Sequence, residues 1–134
     1  MRATSSDDRA AVQSACIQVL DDFMEALNAH DAAAMDRSMH FPHYRFAGGT
    51  ATVYDAPGSN PMDLFARLQA QDDWSHSRWE SRELVQFNDT KAHVALSYTR
   101  FRKDDSVIGV YESLYVITRV GGRWGIVVRS SFGP

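Results

Sequence analysis

The stretch AHVALSYTR, residues 92–100, alternates without interruption: Ala92, Val94, Leu96, Tyr98 and Arg100 fall on one side, His93, Ala95, Ser97 and Thr99 on the other. A period of two is that of a β-strand with one face toward a core. Turn-forming residues bracket it. Asn88-Asp89-Thr90 precede it, Asp104-Asp105-Ser106 follow it, and Gly121-Gly122 come later; each group accepts tight-turn geometry at low cost. The spacing predicts an antiparallel meander with strands over residues 76–87, 91–103, 107–120 and 123–132.

Upstream the period changes. Val12, Cys16, Val19, Leu20, Phe23 and Leu27 recur at spacings of three and four, which predicts a long helix from Ser6 with one apolar stripe. Ser6 or Asp7 is its expected cap. Cys16 lies on the stripe and reads as a small core residue, not a nucleophile. Asn28-Ala29-His30 end this helix, and Asp31 caps a second, shorter one through AAAMDRSM, which Pro42 stops for want of an amide. HYRFA and TATVYDA, separated by Gly48-Gly49, predict a short β-hairpin. A third helix opens at Asn60-Pro61 with Pro61, Leu64, Phe65 and Leu68 as its apolar face. Helices first and a meander afterwards predict an α+β domain, three helices of the N-terminal half packed on one face of an antiparallel sheet.

The 134 residues suffice for one domain, residues 1–134, and not for two. A net charge of −3 argues against a nucleic-acid partner, because phosphate binding needs concentrated Lys and Arg. The one basic run, RFRK at Arg100 to Lys103, meets Asp104 and Asp105 at once and reads as a solvated hairpin end. The single cysteine forms no internal disulfide. No apolar run approaches the roughly 18 residues of a spanning helix, so no membrane partner and a cytoplasmic location are expected. Neither a G-x-S-x-G elbow nor a glycine-rich phosphate loop is present, and no cofactor is expected.

The order of elements resembles the nuclear transport factor 2-like superfamily, also called SnoaL-like or cystatin-like cone folds. Two phrases carry the resemblance: ALNAHD at Ala26 to Asp31, where the family's first helix commonly ends in ALNxxD, and GGRWGIVV at Gly121 to Val128, where its last hairpin commonly reads GxW into an apolar strand. The likeness covers about residues 8 to 132. It implies a strongly bent sheet wrapped around the helices, a deep cone-shaped cavity, and homodimers paired through the outer sheet face. Function does not follow from such a fold. The ketosteroid isomerases of the superfamily use a tyrosine, a carboxylate base and a protonated carboxyl. Counted from ALNAHD, their places fall at Phe23, at Ala47 with no acid before Asp55, and near Leu114, where Glu112 is the acidic neighbour. The three matches fail, so steroid-isomerase chemistry is not expected.

The segment HFPHYRF, His40 to Phe46, lies where the resemblance places the cavity mouth. On a strand His43 and Arg45 share a face. Facing inward, they give an imidazole beside a fixed cation, suited to an anionic or carbonyl-bearing ligand or to general acid–base work; facing outward, they are solvated. His40 and His43 also have H-x-x-H spacing, but zinc needs a third protein ligand, and only His76 and Asp55 offer one. Tyr98 and Arg100 continue the inner face of their strand. A charge there calls for a partner, and Glu112 is the expected one, interrupting an apolar face made by Ile108, Val110, Leu114 and Val116. Tyr111, Tyr115 and Ile117 then form an outer stripe suited to a dimer interface. Trp79, Trp124 and Phe132 read as core. Arg129, which interrupts IVVRSSF, reaches either the pocket rim or the dimer edge.

The expected function is therefore a small-molecule pocket with His40, His43, Arg45, Tyr98, Arg100 and Glu112 as its candidate residues. A small enzyme using His43 as general acid or base, and a dimeric interaction module without catalysis, are the alternatives.

Overall fold

A computed structural model describes residues 6–60 and 64–134. The elements are α1 (Ser6–Asn28), α2 (Ala32–Arg37), β1 (Met39–Ala47), β2 (Thr50–Tyr54), α3 (Leu64–Asp72), β3 (Trp74–Phe87), β4 (Lys91–Arg102), β5 (Val107–Val120) and β6 (Arg123–Ser131). The expected cap at Ser6 or Asp7 concerns side chains outside the described set. The expected helix opening at Pro61 likewise lies outside the described residues.

The α1 stripe packs as its spacing requires: Val12, Cys16, Val19, Leu20 and Phe23 are buried, joined by Met24 and Ala26. Burial pushes the Cys16 thiol up to about 11, which leaves it an inert thiol near neutral pH. Asn28 and Asp31 explain the ALNAHD phrase in physical terms. The Asn28 amide donates to the Ser77 carbonyl and accepts from the Ser77 amide, both at 2.8 Å. It thus pairs with β3 as another strand residue would and fixes where the helix meets the sheet. Asp31 caps α2 by accepting from the Ala34 amide at 3.0 Å.

Six strands form one sheet in the order β2-β1-β6-β5-β4-β3, curled around the helices without closing. The expected meander β3 to β6 is present, and β1 and β2 form the expected hairpin around Gly48 and Gly49, both at positive φ. The sheet is not purely antiparallel: β1 lies parallel to β6. Pro42 does not end α2, which stops at Arg37; it sits inside β1, in a stretch where the pairing with β6 shifts register between Met39 and Tyr44. A residue without an amide is tolerated at such an irregularity, where the ladder is already interrupted.

The inner face of β5 is the reverse of the sequence expectation. Tyr115 and Ile117 are buried, while Val110, Glu112 and Leu114 are exposed. Phe132 is also corrected: it is 87% exposed, because Ser131 turns inward and strand alternation sends its neighbour out. Among the described residues no helix is long and apolar enough to cross a membrane.

Candidate functional site

At one end of the curled sheet the inner face opens into a cavity of about 110 Å³. Its floor is a cluster of aromatic rings. Trp79 meets Tyr98 and Tyr115 edge-on at 6.1 and 5.9 Å between centroids, and Phe23 meets Tyr115 edge-on at 6.3 Å. Leu64 and Leu68 of α3 line the opposite side. Three guanidinium groups enter it, from Arg45, Arg100 and Arg129, and no carboxylate lines it among the described residues.

Strand register puts them there. Arg45 on β1 is the direct cross-strand partner of Arg129 on β6, and Arg129 is in turn the partner of Tyr115 on β5. Arg129 reaches the inner face through an irregularity. Val116 pairs with Val128 but Ile117 pairs with Ile126, so Val127 is an extra residue in β6. A one-residue bulge exchanges the two faces of a strand beyond it. Ile126 is therefore core on one side of it while Arg129 and Ser131 face the cavity on the other.

His43 is fully buried. Its Nε2 accepts from Arg129 Nε at 2.9 Å, and its Nδ1 lies 2.9 Å from the Ile126 carbonyl. A guanidinium only donates and a carbonyl only accepts, so the ring is the neutral Nδ1–H tautomer with both nitrogens engaged. Burial, and then the Arg129 and Arg45 charges, hold its pKa down at about 4, against the opposing pull of the Ile126 hydrogen bond. The imidazole is placed to orient Arg129 and leaves no nitrogen free for a ligand.

Arg129 also stacks on Phe23, with Cζ 5.3 Å from the ring centroid, and burial lowers its pKa from the usual guanidinium value. Arg100 lies over Tyr111 at 5.3 Å and Tyr98 at 5.9 Å. Arg45 and Arg100 both donate to the Pro134 main-chain oxygen, at 3.2 and 3.4 Å. The Tyr98 hydroxyl lies 3.1 Å from Ser131 Oγ. Burial pushes the Tyr115 phenol up to about 12, so it remains a neutral donor.

Of the residues singled out from sequence, Arg45, Tyr98 and Arg100 thus meet at the cavity, and His43 stands behind Arg129. Glu112 does not pair with Arg100. Its position in β5 is opposite Ser97, its side chain is exposed on the outer sheet face, and Arg100 is buried on the inner one. His40 lies away from the cavity, its Nδ1 accepting from Arg123 Nη2 at 3.0 Å and its Nε2 2.8 Å from the Arg123 carbonyl. His76, the recruit considered for a metal, pairs instead with Asp105 at 3.1 Å, and no group of three or more His, Cys, Asp or Glu side chains converges among the described residues. Tyr115, expected on an outer stripe, lines the cavity instead, and so does Trp79, expected as core. Arg129 takes the rim alternative of its two, and Tyr54, Trp74 and Ser131 line the cavity without having been singled out. For Arg129 the available signal was the arginine interrupting IVVRSSF.

No curated protein matches the chain. Solved structures do, at identities low enough to report the fold alone. A protein of unknown function with a cystatin-like fold from Nostoc punctiforme superposes with a TM-score of 0.74 at 12% identity, covering 98% of this chain and 94% of that one. A putative ketosteroid isomerase from Shewanella frigidimarina gives 0.67 at 14% identity, covering 85% and 91%. A structure from Catenulispora acidiphila in complex with S-DNPA gives 0.70 at 13% identity, covering 92% and 93%. A family model described as NTF2-like protein (DUF6841) matches residues 13–131, and with nearly the whole chain inside it, this protein belongs to the NTF2-like family.

Proposed function

We propose that the cavity binds a small, partly apolar molecule bearing an anionic or carbonyl group, oriented by Arg45, Arg100 and Tyr98. The observation that carries this reading is the convergence of three guanidinium groups on one aromatic-walled cavity with no described carboxylate among them. Arg45 and Arg100 already meet the Pro134 main-chain oxygen, whereas Arg129 donates only to the neutral His43 among the described residues. Crowding three cations in one cavity is costly, and an anionic ligand offsets that cost. Binding is favoured over acid–base catalysis because both nitrogens of His43 are engaged. A thermal-shift screen of metabolites and hydrophobic acids tests the reading. A ligand present at 100 times its Kd stabilises the native state by about 2.7 kcal/mol, and the shift should vanish in Arg45→Ala/Arg100→Ala. Hits that keep their full shift in that double variant, or no hit at all on the wild type, would sink the proposal.

We further propose that the protein is a homodimer joined through the outer sheet face. That face exposes Tyr44, Phe46, Val53, Val110 and Leu114, and register sets Val53, Tyr44 and Val128 in one row and Ala51, Phe46, Ser130 and Leu114 in the next, across neighbouring strands. An apolar patch of this kind fits a second copy of the chain better than water. Sedimentation should give a dimer for the wild type and a monomer for Phe46→Glu/Leu114→Glu; a wild-type monomer at micromolar concentration refutes it.

A further inference from the structure

The three arginines are not equivalent. Arg45 and Arg100 share the Pro134 main-chain oxygen. Arg129 donates only its Nε, to His43, and its two terminal nitrogens have no hydrogen-bond partner among the described residues. The Tyr115 hydroxyl, on the next strand in the same cross-strand row, likewise has none. Arg129 is nevertheless held in place from three directions: by the His43 ring, itself anchored on the Ile126 carbonyl, by the face of Phe23, and by the register with Arg45. A fork of donors fixed at its root and unsatisfied at its tip matches a planar two-oxygen acceptor.

The cavity volume limits the rest of the ligand. The cavity measures about 110 Å³, somewhat below the ~150 Å³ that encloses benzene. It therefore takes at most a single ring or a short branched chain within its walls, and a fused polycyclic body would have to extend through the mouth. Resting on the reading that the cavity is a ligand site, we propose that its ligand is a compact, single-ring-sized carboxylic acid whose carboxylate is bound directly by Arg129 and the Tyr115 hydroxyl, while the charges of Arg45 and Arg100 and the Tyr98 hydroxyl, on the same cavity, hold it in orientation. His43 is a positioning residue: it aims the Arg129 fork and does not touch the ligand. The charged and titratable groups facing it are Arg129 from β6, Arg45 from its own strand and Tyr54 from β2.

Calorimetric titration of the full chain with benzoate, benzamide, phenyl phosphate and cholate tests this. Benzoate should bind at least roughly tenfold more tightly than benzamide, the difference a charge-assisted fork confers. Arg129→Lys keeps the charge without the fork and should erase that preference. Tyr115→Phe, which removes a hydroxyl and nothing else, should weaken benzoate several-fold, and it keeps the test decisive if the arginine variant folds poorly. His43→Leu should weaken benzoate about tenfold while leaving benzamide unchanged, and His43→Gln, which restores an acceptor for Arg129 Nε, should recover most of the loss. Benzoate affinity should be flat between about pH 5.5 and 8.5, where the ring stays neutral. The proposal is overturned if benzamide matches benzoate, if phenyl phosphate binds more tightly, or if affinity rises on acidification through pH 6.5 in the wild type but not in His43→Leu. Tight binding of cholate with none of benzoate overturns the size and acid assignment while leaving the cavity a ligand site. If none of the four probes binds and the metabolite screen also gives no hit, both this inference and the ligand-site reading fail.

Discussion

Two ends of the same inner sheet face follow opposite rules. Toward one end β4, β5 and β6 contribute Ala92, Val94, Ile117 and Ile126, all at most 2% exposed and packed on the α1 stripe. A few residues along, the same strands contribute Tyr98, Arg100, Tyr115, Arg129 and Ser131, which line the cavity. The first end is close-packed and apolar, as stability requires. The second places Arg45 and Arg129 directly opposite each other, a like-charge pair that disfavours the fold. A packed core and an open cavity are thus separated along the length of the strands, and a substitution should act differently according to which end it strikes.

The largest effect belongs at the sealed end. Leu20 is fully buried at the centre of the α1 stripe, and Leu20→Ala should cost roughly 2–5 kcal/mol through lost burial and the cavity left behind. Urea unfolding measures it. A cost below about 1 kcal/mol would mean that this end is not the sealed core described, because a well-packed site does not collapse around a missing isobutyl group.

A smaller effect, dependent on pH, lies where the two ends meet. His43 is neutral in the fold with its pKa held near 4, against an ordinary value of 6.5. Above pH 6.5 the ring is neutral whether the chain is folded or unfolded, and its contribution is complete. As pH falls from 6.5 to 4, the unfolded chain binds a proton that the native ring refuses, so stability declines, by roughly 3 kcal/mol in total, and levels off below the native pKa. Urea midpoints at pH 7 and pH 4.5 should diverge more in the wild type than in His43→Gln, which has no proton to bind. Equal divergence in the two proteins would place the ring in water.

The sealed end was the more legible in sequence. The α1 stripe and the β4 alternation each have one apolar face, and a single periodicity identifies it. In β5 both faces are apolar, Tyr111, Tyr115 and Ile117 on one and Val110, Leu114 and Val116 on the other. Period two therefore separates them without saying which is inner, and the expectation of Val110, Leu114 and Val116 as the inner face is the reverse of the fold. Arg129 was ambiguous for a different reason: its direction depends on the extra residue at Val127, and a bulge leaves little trace in composition. Arg45 and Arg100 were legible because charge on an inner-facing position stands out. The hydrogen bond that links His43 to Arg129 joins residues 86 apart, and no local pattern encodes it. The histidine was visible, but its occupation was not.

The smallest effect has the opposite sign and separates the two ends most sharply. Arg45 faces Arg129 across the strand pair, and its hydrogen bond among the described residues runs to the exposed Pro134 main-chain oxygen. Replacing it by glutamine removes a like-charge repulsion of the same order as other neighbouring cross-strand pairs, roughly 0.2–1 kcal/mol, at the loss of one exposed charged contact worth about 0–1 kcal/mol. Arg45→Gln should therefore leave the urea midpoint unchanged or slightly raised while weakening any anion the cavity takes. Added salt should shrink the stability gain, since screening weakens the repulsion that the substitution relieves. If Arg45→Gln instead destabilises the protein by as much as a core truncation, Arg45 is a structural residue, and the separation between a sealed end that stabilises and an open end proposed to bind does not hold.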